Sequence, residues 1–325
     1  MTNSHDVSWS LDDITMRGTL TLPVGEGPFP AVVFVAGSGP TDRNWCSPLL
    51  PGTNGSGALF AEAFANTGIA SLRYDKRASG PDAAESARIL FGKFSMRSHL
   101  EELVAAVSVL ARYNSVDAKR IVGFGNSEGT LHVLHYAISE QVFPFVGLVL
   151  AAPPGRSVGK VLLTQLELQA AQVPGGTEIM AEVEAAAARY EAGQPMNIDS
   201  NVPDSVKMVL ASFEAPANLP LAHELWNEDA VVSLREVEIP TLVLIGRKDL
   251  QIDATLDGEP LEQAARGKGN ITFVFPANAN HVFKEDARPI AEVIAAPGSG
   301  YNETGTRLDP VALQAIIGWL QEVFV

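Results

Sequence analysis

Gly125-Asn126-Ser127-Glu128-Gly129 follows an apolar run at 120–124 and opens a helical pattern at 128–138. Glycines two residues before and two after a serine suit a strained turn from a strand into a helix, where side chains would collide with neighbouring backbone. Such a turn holds the serine hydroxyl in the open. The motif occurs once in the chain, and its setting predicts that Ser127 is a nucleophile.

A nucleophilic serine needs a base within hydrogen-bond reach and an acid that orients the base. His281 lies just beyond the last predicted strand, and Asp249 lies directly beyond the strand before it. Loops that leave the carboxyl edge of a parallel sheet can bring both side chains over Ser127. We therefore expect a Ser127, Asp249 and His281 triad, with Asp253 and Asp257 as alternatives to Asp249.

Short apolar runs rich in Val and Ile alternate with helical patterns along the chain. Runs bounded by Gly or Pro are typical of strands buried on both faces of a parallel sheet. Strands are predicted at 31–36, 70–74, 120–124, 146–152, 241–246 and 271–275, after a hairpin at 7–10 and 14–22, and helices at 58–67, 98–113, 128–138, 259–266 and 310–324. This alternation predicts an α/β fold with a mostly parallel, doubly wound sheet.

One segment interrupts the alternation, because 155–238 contains helical patterns and no convincing strand. The predicted domains are a core at 1–155 and 241–325 and a helical insertion at 156–240, with helices at 161–172, 178–190, 204–213 and 219–227. Its apolar side chains are expected to cover the core and line a pocket, or only to stabilise the domain. They are Leu162, Leu166, Met180, Val183, Met208, Leu210, Phe213, Leu221 and Trp226.

Composition and charge exclude several classes of protein. The 325 residues are 46% hydrophobic and 19% charged, which suits a folded core and excludes wholesale disorder. With 23 Lys and Arg against 38 Asp and Glu, the net charge of −15 disfavours nucleic acid and anionic membranes as partners. Cys46 is the single cysteine, so an internal disulfide is excluded. Because no membrane-spanning run or signal-peptide pattern is present, we expect a cytoplasmic protein.

Four further segments strengthen the assignment made from the serine motif. They are Gly37-Ser38-Gly39-Pro40-Thr41-Asp42-Arg43, Leu72-Arg73-Tyr74-Asp75-Lys76-Arg77, the stretch 246–250 and Asn280-His281. With these segments, the chain from about residue 31 onward, apart from the insertion, resembles the α/β-hydrolase superfamily. More narrowly, it resembles the esterases and serine-aminopeptidase-like hydrolases of that superfamily. The resemblance implies an α/β-hydrolase fold whose insertion is a lid. It also implies that Ser127, Asp249 and His281 are catalytic and that no cofactor or metal is needed.

The oxyanion of an acyl-transfer reaction needs two preorganised donors. The geometry of the turn predicts the backbone N–H of Glu128 as one. The resemblance places the second on Ser38, with Gly37 as the neighbouring alternative. Many relatives have His-Gly before this donor, where this chain has Ala36-Gly37. We therefore expect the pair Asp42-Arg43 to support the loop in place of that histidine.

Several charged residues near the motifs have simpler interpretations than catalysis. The segment 75–77 is expected to be a charged loop that binds its own backbone, with a substrate clamp as the alternative. His132 and His135 are expected to be packed or hydrogen-bonded core histidines. The Glu128 carboxylate is expected at the pocket rim, where it would disfavour anionic substrates.

The predicted function is that of a lidded serine hydrolase, a carboxylesterase that cleaves small to medium esters through an acyl-enzyme. Its partner would be a small-molecule ester, and the oligomeric state, including a homo-oligomer, is open. The same triad serves peptidases, amidases, acyltransferases and thioesterases, although we locate no carboxylate pair in the lid for the free amine of an aminopeptidase substrate. A ligand-binding protein with this fold is a further alternative, but such a protein would usually have lost a triad member.

Overall fold

A single eight-stranded sheet forms the centre of the protein in a computed structural model that describes residues 3–325. Its strands are β1 (Asn3–Leu11), β2 (Ile14–Leu22), β3 (Phe29–Val35), β4 (Ala70–Tyr74), β5 (Val116–Asn126), β6 (Gly147–Ala151), β7 (Thr241–Leu244) and β8 (Ile271–Val274). All six predicted runs and the predicted hairpin are strands, and β1 is longer than expected. Every residue of β4, β6 and β7 is buried, as expected for central strands covered on both faces, and in β4 this includes Ser71 and Arg73.

The order of the strands places the loops that carry the motifs side by side. The sheet runs β1-β2-β4-β3-β5-β6-β7-β8. The β1–β2 and β2–β4 pairs are antiparallel, and all other neighbours are parallel. The carboxyl ends of β3 to β8 therefore meet at one edge, which confirms the predicted mostly parallel α/β fold.

Helices connect the strands and cover both faces of the sheet. They are α1 (Ser56–Asn66), α2 (Ala83–Ile89), α3 (Met96–Ala111), α4 (Glu128–Ile138), α5 (Val158–Ala170), α6 (Gly176–Glu191), α7 (Asp204–Glu214), α8 (Leu221–Asn227), α9 (Ala230–Glu236), α10 (Gly258–Ala264), α11 (Ile290–Ala295) and α12 (Pro310–Val323). The sequence pattern missed α2, α9 and α11, which are too short to repeat a helical apolar period. Among the helices of residues 3–325, none is both long and apolar enough to cross a membrane.

An aromatic cluster fills the core between β3, β5 and α1. It consists of Phe34, Trp45, Phe60, Phe64 and Phe124, and all five side chains are buried. The ring centroids of Phe34 and Phe124 are 5.0 Å apart, and those of Trp45 and Phe124 are 5.2 Å apart. Tilted and edge-to-face pairs at such distances add to the free energy of burial. The cluster fixes the end of β5, from which the serine motif continues.

The insertion between β6 and β7 has a small core of its own. Within the described residues it contains α5 to α9 and a 3₁₀ turn at Pro216–Asn218, and no strand. Its separate apolar cluster includes Leu166, Met180, Val183, Tyr190, Leu210 and Trp226. Met208 is the exception among the predicted lid residues. The expectation that it packs is wrong, because it lies on the outer side of α7 and is 74% exposed.

The last helix of the insertion contributes no residue to the small core, whereas α5 and α8 contribute to both cores. In α9, Ala230 and Leu234 belong to the main core, and the helix packs on α4 and α10. We therefore propose that the separately packed lid covers the first part of the predicted 156–240 segment and ends near Asn227. The sequence gives no sign of this change, because α9 is a short apolar helix like its neighbours.

A buried ion pair fixes the start of the insertion to the core. Arg156 donates two hydrogen bonds to the Asp257 carboxylate, Nε to Oδ1 at 3.0 Å and Nη2 to Oδ2 at 2.9 Å. The backbone N–H groups of Gly155 and Asp253 also donate to Asp257, at 3.2 and 3.0 Å. Asp257 is therefore a structural anchor of the insertion.

Truncation of the aromatic cluster tests this account of the core. We expect Phe64→Ala to lower the free energy of unfolding by about 3–5 kcal/mol, because a buried ring is lost and a cavity remains. Urea unfolding followed by tryptophan fluorescence and circular dichroism measures the change. The matched control is Phe91→Ala, since Phe91 is 59% exposed, and its effect should stay within about 0.5 kcal/mol. Equal effects of the two substitutions would contradict the packing described here.

Candidate active site

Ser127 lies on a sharp turn between β5 and α4. Its backbone has φ 54° and ψ −125°, a conformation that non-glycine residues rarely adopt. A Cβ atom on Gly125 would lie 2.3 Å from the Gly129 carbonyl oxygen, and one on Gly129 would lie 2.3 Å from the Val35 carbonyl oxygen. Both glycines are therefore required by close backbone approach, as the motif predicts, and Ser127 stays half-buried at the sheet edge.

His281 is hydrogen-bonded to Asp249. The distance from His281 Nδ1 to Asp249 Oδ2 is 2.8 Å, and the Asp249 side chain is fully buried. The other oxygen, Oδ1, accepts the backbone N–H groups of Gln251 at 2.7 Å and Ile252 at 3.0 Å. Because an ionised carboxylate only accepts hydrogen bonds, Nδ1 carries the proton and Nε2 carries the lone pair. This is the tautomer that a general base requires.

The two alternatives to Asp249 have other partners. Asp253 Oδ1 accepts the backbone N–H groups of Thr255 at 2.8 Å and Leu256 at 2.7 Å, which closes its own turn. Asp257 binds Arg156. Of the three carboxylates, Asp249 is the one within hydrogen-bond distance of His281.

Two residues that the sequence did not single out connect the parts of the site. Asn126 Nδ2 donates to the carbonyl oxygen of His281 at 3.2 Å, so the serine turn is bound to the backbone of the histidine loop. Tyr301 stacks on the His281 ring with centroids 6.5 Å apart. Burial, together with the Asp249 charge, raises the pKa of Tyr301 well above its ordinary value, so its hydroxyl stays neutral. Asn126 lies inside the serine motif, whereas Tyr301 lies in a glycine-rich loop that carries no such signal.

The backbone segments predicted to supply the oxyanion donors lie next to Ser127. Glu128 is the first residue of α4, so its N–H has no intrahelical acceptor. Gly37 follows β3, and a Cβ atom on it would lie 3.2 Å from the Ser127 Cβ, which places its backbone directly against the serine. Ser38 is exposed, and its carbonyl oxygen accepts the Thr41 hydroxyl at 2.8 Å. Both amides predicted for the second donor are therefore on the loop that faces Ser127.

Comparison with known proteins identifies the family of this chain. The family model described as "Alpha/beta hydrolase family" matches residues 32–296. The chain belongs to the α/β-hydrolase family. The predicted family resemblance is thereby confirmed, and the match covers most of the chain, including Ser127, Asp249 and His281.

Two curated proteins are similar to this α/β hydrolase. Esterase EstD of Thermotoga maritima is 28% identical over 290 residues, which cover 85% of this chain and 60% of that protein. The quorum-quenching protein AidA of Acinetobacter baumannii is 28% identical over 136 residues, 42% of this chain and 40% of that protein. The chain therefore spans about 60% of the length of the esterase and about 40% of the length of AidA.

Solved structures share the fold at lower sequence identity. The α/β hydrolase GrgF from Penicillium sp. sh18 superposes with a TM-score of 0.57 and 16% identity and covers 99% of each chain. Proline iminopeptidase of Mycobacterium smegmatis superposes with a TM-score of 0.55 and 16% identity. The match covers 98% of this chain and 99% of the iminopeptidase chain. These likenesses show the α/β-hydrolase fold.

The loop after β3 is held by Arg43, as expected from the sequence of this α/β hydrolase. Arg43 donates to Asp75 through its backbone N–H at 2.8 Å and its Nε at 2.9 Å, with Nη2 at 2.7 Å. Asp42 Oδ1 accepts the N–H groups of Asn44 at 2.8 Å and Cys46 at 2.9 Å, although burial raises the pKa of Asp42. The contacts of Arg43 connect the loops after β3 and β4.

The side chains of the segment 75–77 are buried and bind other elements. Lys76 Nζ lies 2.8 Å from Glu128 Oε1, and Arg77 Nε lies 2.7 Å from Glu102 Oε1. The expectation that this loop binds its own backbone with these charges is wrong, because each charge pairs with a partner from a neighbouring loop or helix. The alternative interpretation of this segment as a substrate clamp is wrong for the same reason, because its charged groups are already paired within the protein.

Glu128 is also placed differently from the expectation. Its side chain is 7% exposed, and the carboxylate contacts Lys76 and His132, the latter at 3.1 Å. The expected position at the pocket rim is wrong, because α4 turns the carboxylate into the core. His132 and His135 agree with their predicted structural roles, since His135 Nε2 pairs with Glu228 Oε1 at 2.8 Å.

The protonation states of this buried pair follow from its contacts. Burial would raise the pKa of Glu128, but Lys76 and the His132 hydrogen bond outweigh burial and hold that pKa well below its ordinary value. Burial lowers the pKa of His132 to about 4, although Glu128 opposes this shift. At neutral pH the carboxylate is charged, and the neutral His132 donates its Nε2–H to it.

One cluster in the described residues has the donor set of a metal site. The ligand atoms of His99, Glu128 and His132 lie within 4.8 Å of one another, and two imidazoles with a carboxylate suit zinc or iron. However, the Lys76 ammonium group already binds the Glu128 carboxylate inside the core. A divalent cation would face this buried positive charge, and the neighbouring Glu102 carboxylate is already paired with Arg77, so we interpret the cluster as a salt-bridge network.

Removal of Arg43 tests the support of the β3 loop. We expect Arg43→Met to lower the free energy of unfolding by about 3–5 kcal/mol, because the buried Asp75 carboxylate loses its cation. Urea unfolding measures the change. The double variant Arg43→Met/Asp75→Asn should recover part of the loss. Arg97→Met, which removes an exposed pair with Glu101, should change stability by less than about 0.5 kcal/mol. A loss for Arg43→Met no larger than this control would contradict the assigned role.

Proposed function

We propose that this α/β hydrolase is a carboxylesterase that uses Ser127, His281 and Asp249 to cleave small to medium carboxylic esters. The observation that carries the proposal is the combination of a strained, half-buried Ser127 with a histidine held in one tautomer by a buried carboxylate. The similarity to esterase EstD supports an ester over other acyl compounds.

Acylation begins when Ser127 Oγ attacks the ester carbonyl carbon. His281 takes the serine proton on Nε2, which carries the lone pair because Nδ1 donates to Asp249. The imidazolium that forms is stabilised by the Asp249 carboxylate, which two backbone N–H groups hold in place. His281 then passes the proton to the leaving alcohol as the carbon–oxygen bond breaks.

The tetrahedral intermediate carries a negative oxygen that two backbone amides stabilise. The Glu128 N–H is one donor, and the Ser38 or Gly37 N–H is the other. Such donors each contribute about 10²–10³ to the rate in acyl transfer. They require no reorganisation, because the close packing of Gly129 on Val35 fixes α4 and the end of β3 against each other.

Deacylation repeats the proton transfers with water as the nucleophile. His281 Nε2 takes a proton from the water as its oxygen attacks the acyl carbon, and returns it to Ser127 Oγ as the acyl-enzyme bond breaks. The products are a carboxylic acid and regenerated Ser127. The scheme uses only groups of this chain and water.

The helical insertion is proposed to act as the lid over this site and to contribute to the choice of substrate. It begins directly after the β6 loop, and Gln165 Nε2 on α5 donates to the Gln251 carbonyl oxygen at 3.2 Å, two residues beyond Asp249. The small lid core holds the helices together as one unit.

Substitution of Ser127 tests the proposal directly. We expect Ser127→Ala to abolish labelling by a fluorophosphonate probe and to lower kcat for a p-nitrophenyl ester by about 10³-fold or more, because the nucleophile is removed. The matched control is Ser212→Ala on the exposed side of α7, which should keep both signals. If the folded wild-type protein is not labelled by the probe, that result would contradict an enzymatic function and favour a binding protein.

A panel of p-nitrophenyl esters and aminoacyl p-nitroanilides separates the esterase from the alternative peptidase. A carboxylesterase should turn over the esters with a clear preference for one acyl length, and the anilides slowly or not at all. Faster turnover of the anilides would replace the proposed reaction while keeping the same nucleophile.

Asp249 and Asp253 form a matched pair that tests the assignment of the acid. We expect Asp249→Asn to lower kcat by about 10³–10⁴-fold, since an amide can donate to Nδ1 and favour the wrong tautomer of His281. Asp253→Asn should stay within a few-fold of the wild type. Steady-state kinetics on protein with native circular dichroism measures both. A larger effect at Asp253 would reassign the acid.

A further inference from the structure

A buried ion pair lies directly behind the candidate oxyanion site. Lys76 Nζ and Glu128 Oε1 are 2.8 Å apart, and the side chains are 3% and 7% exposed. Lys76 follows β4 and Glu128 opens α4 after β5, and these two strands are the sheet neighbours of β3. The pair therefore spans the end of β3, where the loop of Gly37 and Ser38 begins.

The Glu128 residue has two opposing electrostatic roles in the proposed reaction. Its N–H is placed to stabilise a negative oxygen, while its own side chain carries a negative charge inside the core. Like charges less than about 10 Å apart repel strongly at an effective dielectric constant of about 20. An uncompensated carboxylate at this position would oppose the oxyanion that the backbone of the same residue stabilises.

Among the groups around the Glu128 carboxylate, Lys76 is the one that compensates its negative charge. His132 contacts the same oxygen from α4 itself and is neutral at pH 7. The ring of His99 on α3 packs against His132 at a tilt of 36°, with ring centroids 4.8 Å apart. His99 Nδ1 lies 3.3 Å from Glu102 Oε1, and Glu102 also pairs with Arg77. Arg77 is thus committed to another anion, and Lys76 is the ammonium group in contact with Glu128.

We propose that Lys76 is a positioning residue for the oxyanion site, whose ammonium group compensates the Glu128 carboxylate so that the Glu128 N–H can stabilise a negative oxygen. This inference rests on the proposed function of Ser127. Lys76 contacts neither the substrate nor the reacting atoms in this assignment. It acts on the reaction through the charge and position of Glu128.

The test is the pH dependence of kcat in Lys76→Met, measured with a p-nitrophenyl ester from about pH 6 to about pH 10. Without its cation, the buried Glu128 carboxyl loses a contact that holds its pKa well below the ordinary value, so we expect that pKa to rise. Below that pKa the carboxyl is neutral and kcat stays near the wild-type value. Above it the unpaired carboxylate forms, and kcat falls about 10- to 100-fold, while KM stays unchanged because the oxyanion forms only after binding. The wild type, in which the paired carboxylate is charged throughout, should lack this alkaline fall.

Three variants make the outcome specific. Lys76→Met/Glu128→Gln removes both charges and keeps the Glu128 backbone donor, so the alkaline fall should disappear and kcat should return to within about tenfold of the wild type. Lys76→Arg should retain the wild-type profile. Lys268→Met, which removes a lysine bound to the Val237 carbonyl oxygen far from the site, is the control and should leave kcat and its pH profile unchanged. All rates are expressed per fluorophosphonate-labelled Ser127, which corrects for the folded fraction.

The contrary outcomes are distinct. A Lys76→Met variant whose kcat equals that of the wild type at every pH, or a folded double variant that has lost more than about 100-fold in kcat, would overturn the role of Lys76. A kcat lowered equally at every pH supports the role only if the double variant restores it. If Lys76→Met does not fold, the double variant alone decides by the same criterion. Ester turnover that survives Ser127→Ala would instead overturn the proposed function on which the inference rests.

Discussion

The close packing of α4 on the end of β3 is the constraint on which the rest of the site depends. A side chain at Gly129 would collide with the backbone of Val35, so the helix can begin only where it does because residue 129 is glycine. This contact holds Ser127 at a positive φ whose strain is about 1–3 kcal/mol. The buried aromatic cluster below β3 and β5 keeps the strained turn in place, because relaxing it would disturb the packing of Phe34 and Phe124.

Ion pairs formed by the loops after β3 and β4 add to the backbone packing that holds the site in place. The pairs Arg43–Asp75 and Lys76–Glu128 each join two different loops or helices, and each is close to neutral as a unit. Buried pairs of this kind add little to stability compared with apolar packing. Their effect is geometric, because each pair fixes the distance between two backbone segments that supply groups to the site. The net charge of −15 therefore says little about the site, where the charges are balanced.

The features that could be predicted from the sequence are those encoded locally. The strands follow from uninterrupted apolar runs, and the serine turn follows from two glycines at fixed spacing. The contacts of Lys76, Glu128 and Tyr301 could not be predicted, because they join segments that are distant in the chain and their residue types suit a solvated loop equally well. The exposure of Met208 could not be predicted from its residue type, because the face that α7 turns to the small core, with Leu210, is set by the packing of the helices. The roles of Ser127, Asp249, His281 and Ser38 remain predictions, which the geometry supports.

The loop from Asp249 to Asp257 connects the chemistry to the insertion. At one end Asp249 orients His281, and at the other Asp257 accepts hydrogen bonds from Arg156 and from the backbone of Gly155. A displacement of the insertion at its first residues would have to break a buried ion pair or move the loop that holds the acid, and either change is costly. The start of the insertion is therefore a fixed part of the site. The helices from α5 to α8 pack mainly on their own small core, so substitutions in that core can change the insertion while the contacts that orient His281 are kept.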